Sequence, residues 1–418
     1  MKVYDTKSTG AKALIKYWGD PSVLDQSSPN FEEKLHKQIM EMASLPNIHS
    51  HVAVMPDCHL GHGVCIGSVL PLNGAICPNA VGVDIGCGMC AWNTGVHKSL
   101  LDIDGFMKKV AQNIPTGFGQ RTRSDQWLYH ELIRAEIEEM NRRFDELNGE
   151  KEMPVKWFDK ALIQTGSLGG GNHFIELQED DSGILWIMIH SGSRGLGARI
   201  ADEYKEMAEY HCSKWHTELP TKDLAFFPED SPQGQEYIER MIYAQDYALL
   251  NRKMMLFVGQ MILRDFVEKT NNRNDFVNIH HNFAAKENHF GKNIWVHRKG
   301  ATPARPNLTG IIPGSMCSKS YLVKGKANPE SFASCSHGAG RRFSRTKARQ
   351  RVSDGLDPSQ ESQLGSVKLY GTRHCADELG SAYKDISLVM LQQQDLIDIM
   401  TELRPIAVLK GDSKEARD

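Results

Sequence analysis

The chain has few features of a membrane protein or a secreted protein. No run of about 18 apolar residues occurs, so no membrane span is expected. The start, MKVYDTKSTGAKALIKYW, lacks the apolar core of a signal peptide. Nine cysteines among 418 residues are an odd number and too few for a disulfide framework. We therefore expect a cytoplasmic protein with no membrane partner, in which most cysteines are small buried groups.

A strong charge of one sign is also missing. The formal net charge is −3, with 40% hydrophobic and 24% charged residues, as in an ordinary globular protein. A nucleic-acid partner would therefore have to be held by a local basic surface. No GK[ST] follows the glycine-rich stretch GSLGGGNHF, which excludes a Walker phosphate loop, and no convincing dinucleotide fingerprint occurs.

Apolar periodicity predicts an α+β fold. Helical patterns cover residues 31–44, 126–147 and 233–268. Apolar runs typical of buried strands cover residues 51–55, 65–72, 80–86 and 184–193, with further strands beyond 276. The last stretch predicts a helix that stops before Pro405 and then a short strand. Because the strands cluster without regular alternation, we expect one compact domain over 1–411, with mixed β-sheets flanked by helices, and a polar tail at 412–418.

Five side chains of metal-ligand type stand at the ends of predicted strands. Asp84 and Cys87 lie in VGVDIGCGMC, and three histidines occur where a strand gives way to a polar loop: His173, His190 and His281. A structural zinc site closes with four ligands and is usually rich in cysteine. One thiolate among five mixed ligands predicts instead two metal ions bridged by the thiolate, which suits phosphoryl chemistry. Ligand type leaves manganese, iron, cobalt and zinc open.

A second dense stretch is SCSHGAGRRFSRTKARQR, residues 334–351. Small residues flank His337, so a large ligand could approach its ring closely. Arg341 and Arg345 are expected to share a helical face at i, i+4. Arginine forks suit phosphate groups. A histidine outside the metal set and beside arginines could act as a nucleophile that carries a phosphoryl or nucleotidyl group.

Ten blocks of sequence, in order along the chain, resemble the RtcB family of RNA-splicing ligases, of the bacterial type. They are MPDCHLG, VGVDIGCGM, GGGNHFIE, HSGSRG, HHN, RKGA, IIPGSM, SHGAGR, AYKD and VLKG, between residues 55 and 411. The family implies an RtcB-like fold around a central di-metal site and a GTP-dependent ligase that uses RNA 3′-phosphate ends. The resemblance places two Mn²⁺ ions on Asp84, Cys87, His173, His190 and His281, with Cys87 bridging.

The resemblance also implies a covalent nucleotide site. His337 falls on the histidine that becomes guanylylated, and Asp57 of MPDCH on the carboxylate that orients it. The GTP contacts fall on Asn172, Phe174, Glu176, His281, Asn282, Pro313, Gly314, Ser315, Met316, Ser320, Gly338, Ala339, Gly340, Tyr383 and Lys410. Arg194, Arg341 and Arg345 are expected to hold RNA phosphates. Two positions depart from the family pattern: Cys58, usually apolar and branched, and Cys317, usually glycine.

The implied reaction joins an RNA 3′-phosphate or 2′,3′-cyclic phosphate to a 5′-hydroxyl through RNA(3′)pp(5′)G. A monomer is expected, with an activating protein such as archease as a potential partner. Two other classes of protein remain open from the residues alone. A metal-dependent phosphoesterase would use the same five ligands without ligation. An RNA-binding module with a structural metal would use only the basic stretch, and its RNA binding would not depend on GTP.

Overall fold

Eighteen β-strands and ten α-helices lie in the part of the chain that the computed structural model describes, residues 1–4, 12–122, 125–148, 155–372 and 375–411. The predicted tail at 412–418 lies outside these residues. The strands are β1 (Lys2–Tyr4), β2 (Leu14–Tyr17), β3 (His51–His59), β4 (Ile66–Leu72), β5 (Ala75–Ile76), β6 (Gly88–His97), β7 (Phe174–Glu179), β8 (Ile184–Ser191), β9 (Phe227–Pro228), β10 (Phe276–His280), β11 (Asn282–His289), β12 (Lys292–Lys299), β13 (Ala301–Pro303), β14 (Thr309–Ile312), β15 (Ser320–Gly325), β16 (Ser334–Ser336), β17 (Lys368–Gly371) and β18 (Ile397–Lys410). The helices are α1 (Glu33–Ala43), α2 (Pro78–Val81), α3 (Ile103–Asn113), α4 (Glu131–Asn148), α5 (Val155–Gln164), α6 (Arg194–Lys214), α7 (Pro232–Leu263), α8 (Arg345–Ser353), α9 (Gln360–Leu364) and α10 (Ile386–Leu391).

Two mixed β-sheets organise the chain, which confirms the predicted α+β class. The first has six strands in the order β1-β2-β3-β4-β12-β11. The second has the order β10-β6-β8-β7-β18-β15-β14, with β17 added beside β18. Most neighbours are antiparallel, whereas β2 with β3 and β17 with β18 are parallel. The strand pairs β13–β16 and β5–β9 complete the described sheet structure.

Helix α7 supports the second sheet. It has 32 residues and packs on β6, β8 and β10. Its buried side chains contribute to two apolar cores, among them Tyr243 in one and Leu256 in the other. A helix apolar on most of its circumference is one that is enclosed on most sides. No helix in the described residues is long and apolar enough to cross a membrane.

The predicted strand at 80–86 is wrong. Residues 78–81 form the short helix α2, and residues 82–87 form a turn that leads into β6. Pro78 stands in the first helical turn, where its missing N–H is not needed. Gly82 ends the helix at φ +98°, a conformation that favours glycine. Asp84 and Cys87 therefore lie on a turn after a helix, and the apolar run in front of them is not a strand.

The predicted ends of two other elements are also wrong, each at a proline. The strand expected to stop at Pro56 continues as β3 to His59. The helix expected to reach Pro405 is only α10, which ends at Leu391, and β18 runs straight through Pro405. The register of β18 against β7 shifts between Pro405 and Ala407. A bulge accommodates the proline there, because it leaves one residue out of the ladder of hydrogen bonds.

We expect Ile39→Ala to lower the free energy of unfolding by about 2–5 kcal/mol, because it removes buried methyl groups from α1 and leaves a cavity. Ile39 is 1% exposed in a core with Leu35 and Val52. Lys37→Ala on the same helix, whose side chain is 74% exposed, should change it by less than about 0.5 kcal/mol. Urea unfolding followed by circular dichroism measures both, and equal effects would contradict the packing of this helix.

Candidate active site

The predicted metal ligands meet at one end of the second sheet. Cys87 directly precedes β6, His173 directly precedes β7, and His190 lies near the end of β8. Because β6, β7 and β8 are antiparallel neighbours, the starts of β6 and β7 adjoin the end of β8. His281 stands between β10 of this sheet and β11 of the other. Its main-chain N–H donates to the carbonyl of Cys87 at 2.8 Å, so the junction of the sheets completes the cluster.

Short distances connect all five side chains. The sulfur of Cys87 lies 3.5 Å from Nε2 of His173 and 3.3 Å from Nε2 of His190. Nε2 of His190 lies 3.3 Å from Nε2 of His281, and Nε2 of His173 lies 3.0 Å from Oδ2 of Asp84. The donor atoms of Cys87, His173 and His190 all lie within 4.8 Å of one another. The structure thus brings together the full set predicted from the sequence.

Hydrogen bonds at Nδ1 of His173 and His190 direct the lone pair on Nε2 of each ring into the cluster. Nδ1 of His173 lies 3.1 Å from the carbonyl oxygen of Leu168, and Nδ1 of His190 lies 3.1 Å from that of Asn172. A carbonyl only accepts, so both Nδ1 atoms carry the proton and both Nε2 atoms carry a lone pair in the neutral ring. The lone pair of His173 then faces a carboxylate oxygen at 3.0 Å. Such a contact between acceptors is repulsive unless a cation joins them.

The protonation of the cluster also fits metal ligation. Burial lowers the pKa of His190 and of His281 well below the ordinary histidine range, which favours neutral imidazoles. Burial and the neighbouring Asp84 raise the pKa of the Cys87 thiol well above its usual range. A divalent cation supplies the positive charge that a thiolate in this position requires.

The spacing CGMC could suggest a second thiolate, but Cys90 does not join the cluster. Cys90 is 0% exposed and packs in an apolar core with Trp92, Leu168 and Ile189. It pairs with Ile189 on β8, one position away from the pair formed by Met89 and His190. Successive residues of a strand face opposite sides of the sheet, so Cys90 points away from the ligands.

Asp57 and His337 form a second, separate pair. Oδ2 of Asp57 accepts from Nδ1 of His337 at 2.6 Å and from the main-chain N–H groups of His337 and Gly338 at 3.0 and 3.3 Å. Asp57 is 0% exposed, whereas the side chain of His337 is 15% exposed. Three donors on one carboxylate oxygen fix the ring, with its proton on Nδ1 and its lone pair on Nε2.

Glycines allow the pair to approach so closely. A Cβ on Gly340 would lie 2.1 Å from the carbonyl oxygen of Asp57, and Gly340 has φ +74°. A Cβ on Gly300 would lie 3.0 Å from Cε1 of His337. The small residues around His337 therefore have a steric reason: larger ones would push the ring away from Asp57.

The pair and the metal-ligand cluster are neighbours. The ring centroids of His281 and His337 are 4.9 Å apart at 66°. Asp57 comes from β3 of the first sheet, and His337 follows the short strand β16. Asn282 helps to join the two groups, since it accepts from the N–H of Gly300 at 2.8 Å and donates to the carbonyl of Asp84 at 3.3 Å.

Several residues predicted to contact a nucleotide surround these two groups. Glu176 on β7 is 2% exposed and accepts from Gln178, which also donates to Ser320 Oγ at 3.1 Å. Burial raises the pKa of Glu176 to about 7, against the opposing effects of Gln178 and Lys410. The ring of Phe174 lies 5.5 Å from that of His190. Gln178 was missed by sequence reasoning. It lies two residues after Glu176, the last residue of the NHFIE block, and on the same face of β7.

The loop after β14 approaches the loop that carries His337. Ser315 Oγ lies 2.9 Å from Ser318 Oγ and accepts from the N–H of Cys317 at 3.3 Å. A Cβ on Gly338 would lie 3.2 Å from the carbonyl oxygen of Pro313. The remaining predicted nucleotide contacts occupy the same two loops or the approach to β7: Gly314, Met316, Ala339 and the exposed Asn172.

The predicted helix face shared by Arg341 and Arg345 is wrong, because α8 begins only at Arg345. Arg341 forms an isolated bridge with Tyr383 instead. Both guanidinium groups nevertheless meet at one carboxylate oxygen of Glu378, a residue that sequence reasoning missed. Its neighbour Asp377 pairs with Arg345 at 3.1 Å. The acidic pair directly upstream of the AYKD block was the available signal.

Glu378 binds two further predicted nucleotide residues with its other oxygen. Tyr383 donates its hydroxyl proton to Oε2 at 2.7 Å, and Nζ of Lys410 lies 3.0 Å from it. Burial would raise the pKa of Glu378, but the charges of Lys410, Arg345 and Arg341 hold it well below the ordinary range. Glu378 therefore stays ionised and balances much of the positive charge around it. Arg194, at the start of α6, donates to Ser167 Oγ at 3.1 Å and to the carbonyl of Gly117.

Comparison with known proteins matches this arrangement to one family. The family model described as tRNA-splicing ligase RtcB matches residues 38–411. The chain belongs to the RtcB family. It is 39% identical to the RNA-splicing ligase RtcB of Escherichia coli, over 91% of this chain and 95% of that protein. It is 32% identical to the tRNA-splicing ligase RtcB of Methanococcus maripaludis and 30% identical to that of Thermococcus kodakarensis, each over 91% of this chain and 92% of the relative.

We expect Cys87→Ala to abolish high-affinity binding of Mn²⁺, because it removes the only thiolate among the five ligands. Cys90→Ala is the matched control, since it removes a buried thiol from the same segment without touching the ligands. Isothermal titration calorimetry with Mn²⁺ measures both variants. Wild-type Mn²⁺ affinity in Cys87→Ala would contradict the assignment of this thiolate as a ligand.

Proposed function

We propose that the protein is an RNA ligase that joins RNA 3′-phosphate or 2′,3′-cyclic phosphate ends to 5′-hydroxyl ends with GTP. The observation that carries the proposal is the position of His337: a carboxylate fixes its ring from Nδ1, and a metal-ligand cluster adjoins it. Both features suit a nucleophile that accepts a nucleotidyl group. The printed names of the relatives, RNA-splicing ligase and tRNA-splicing ligase, support the same reaction.

In the first step, Nε2 of His337 attacks the α-phosphorus of GTP. A P–N bond forms, the bond from the α-phosphorus to the bridging oxygen breaks, and pyrophosphate leaves with that oxygen. Oδ2 of Asp57 keeps the proton on Nδ1 and stabilises the positive charge that develops on the ring. Because Asp57 is fully buried, water does not compete for this hydrogen bond.

Asp84, Cys87, His173, His190 and His281 would hold the metal, which we propose to be two Mn²⁺ ions. When bound, the metal supplies positive charge to the phosphate oxygens as the nucleotide is transferred. The ligands themselves are held by hydrogen bonds outside the cluster, such as those of His173 and His190 to main-chain carbonyls. This support keeps their lone pairs directed inward before any substrate arrives.

In the later steps, GMP passes from His337 to the oxygen of an RNA 3′-phosphate, which breaks the P–N bond and gives RNA(3′)pp(5′)G. The oxygen of a 5′-hydroxyl then attacks the RNA phosphorus and loses its proton to solvent. A phosphodiester forms, the bond from that phosphorus to the bridging oxygen breaks, and GMP leaves with this oxygen. A 2′,3′-cyclic phosphate is first hydrolysed to the 3′-phosphate in the same site. Arg194, Arg341 and Arg345 are proposed to hold the RNA phosphates, with Glu378 fixing the latter two guanidinium groups. The monomeric state and activation by a protein such as archease stay predictions.

Guanine selectivity is assigned to Glu176. An ionised carboxylate accepts from the N1–H and the amino group of guanine, whereas adenine offers no donor at N1. Gln178 follows Glu176 on the same face of β7, and its side-chain amide donates to the carboxylate and holds it in place. Tyr383 is proposed to stack on the base and Lys410 to close over the nucleotide, both within reach of Glu378.

The decisive experiment incubates the protein with α-labelled GTP and Mn²⁺ and maps any acid-labile label. We expect label on His337, with none in His337→Ala and none when ATP replaces GTP. Asp57→Asn should reduce the rate of labelling by about 10²-fold or more, because the ring loses its orienting charge. Absence of label in a folded protein that binds Mn²⁺ would contradict the proposal and favour a metal-dependent phosphoesterase.

Guanosine binding should strengthen as the pH rises through about 7, because Glu176 must be ionised to accept from guanine. Its ionised fraction increases about tenfold between pH 6 and pH 8, and the affinity should increase by a similar factor. Guanosine serves as the probe because it carries no phosphate that titrates in this range. Glu176→Gln should bind more weakly and with no pH dependence near 7 in a calorimetric titration. The same slope in both proteins would refute the role of Glu176.

A further inference from the structure

A fully buried arginine stands beside the metal-ligand cluster. Arg252 lies on α7 and is 0% exposed. Burial lowers its pKa to about 10, so it remains a cation near neutral pH. Removing a guanidinium from water is costly unless its donors are satisfied. The groups that accept hydrogen bonds from Arg252 therefore indicate what an arginine does at this position.

The donors of Arg252 reach three separate segments of the chain. Nη1 donates to the carbonyl of Gly86 at 2.9 Å and to that of Ser191 at 2.8 Å. Nε donates to Oδ1 of Asn278 at 2.7 Å, and Nη2 lies 3.3 Å from Nδ1 of His280. Nδ1 of His280 donates its proton to the carbonyl of Gly86 at 2.8 Å, so Nη2 of Arg252 is a close neighbour of this ring and has no hydrogen bond to it. One planar group thus ties together the main chain in front of β6, the end of β8 and the end of β10.

Three of these contacting residues lie next to a predicted metal ligand in the sequence. Gly86 precedes Cys87, Ser191 follows His190, and His280 precedes His281. The neighbouring residue Asn251 extends the support toward His173. It accepts from the N–H groups of Gly166 and Ser167 at 2.8 and 3.2 Å and donates to the carbonyl of Gly192 at 3.0 Å.

Electrostatics alone does not explain Arg252. Among the described residues its hydrogen-bond partners are uncharged, and the nearby acidic groups include the predicted ligands Cys87 and Asp84. A positive charge next to a metal centre favours the anionic ligands but repels the metal itself. The fixed fork of the guanidinium is the property that a lysine cannot supply.

We propose that Arg252 is a positioning residue of the metal centre. Its guanidinium fixes the main chain beside Cys87 and His190 and the side chain of Asn278 on β10, the strand that leads to His281. It thereby sets the separation of these three ligands. The buried helix α7 provides the rigid support that this role requires. The inference rests on the proposed use of these ligands for metal, but it does not depend on which reaction the metal serves.

The test is Mn²⁺ binding by Arg252→Lys, measured by calorimetry without nucleotide or RNA. The variant keeps the charge and loses the fork, so we expect Mn²⁺ affinity to fall by about 10–100-fold. Arg240→Lys is the matched control, because Arg240 lies on the same helix, is 5% exposed and pairs with Glu236 away from the ligands. Wild-type Mn²⁺ affinity in Arg252→Lys would overturn the proposal.

A second variant distinguishes the loss of the Arg252 contacts from a general loss of structure. Asn278→Ala removes the acceptor of Nε and leaves the arginine and all five ligands in place. We expect its Mn²⁺ affinity to fall by a smaller factor than in Arg252→Lys, with thermal unfolding still cooperative. Wild-type affinity in a folded Asn278→Ala would also count against the proposal. Tight Mn²⁺ binding by the unmodified protein without a GMP adduct would leave the positioning role intact and contradict only the ligase reaction.

Discussion

Repulsion among buried electron pairs is the constraint on which the rest of the site depends. Nε2 of His173 faces a carboxylate oxygen at 3.0 Å, and the sulfur of Cys87 lies within 3.5 Å of two imidazoles. Positive charge would stabilise the electron pairs of all these atoms, and burial excludes the water that could otherwise donate hydrogen bonds to them. Such a set stays together only when the surrounding chain is rigid enough to hold it. The hydrogen bonds from His173 and His190 to the carbonyls of Leu168 and Asn172, and from the N–H of His281 to the carbonyl of Cys87, provide that rigidity.

The Asp57–His337 pair is organised in the opposite way. In the Asp57–His337 pair, three N–H groups donate to one carboxylate oxygen, Oδ2 of Asp57. The ring is therefore held in one orientation at rest, and only Nε2 is left to react. The metal-ligand cluster brings like-charged electron pairs together, whereas the ring of His337 is held by a donor–acceptor contact to Asp57. The ring contact between His281 and His337 joins the metal-ligand cluster to the Asp57–His337 pair.

The sequence predicted the site better than the local structure around it. The ligand types of Asp84, Cys87 and the three histidines were sufficient to group them, because few other chemical uses explain such a set. The apolar run 80–86 predicts a strand where a helix and a turn occur, since apolar composition does not distinguish a short buried helix from a strand. Pro405 predicts the end of a helix, because the bulge that admits a proline into β18 depends on the neighbouring strand. Glu378 and Arg252 were missed because their roles arise from contacts between segments far apart in sequence.

The placement of β18 has a consequence for how the protein is made. Residues 397–410 lie in the middle of the second sheet, between β7 and β17 at one end and beside β15 at the other. A ribosome therefore releases this central strand only after nearly all of the other strands have been synthesised. Until then β7, which leads out of the metal-ligand cluster, has an unpaired edge on that side. Long-range pairing of this kind folds slowly. β7 therefore gains its partner on that side only after β18 has been synthesised.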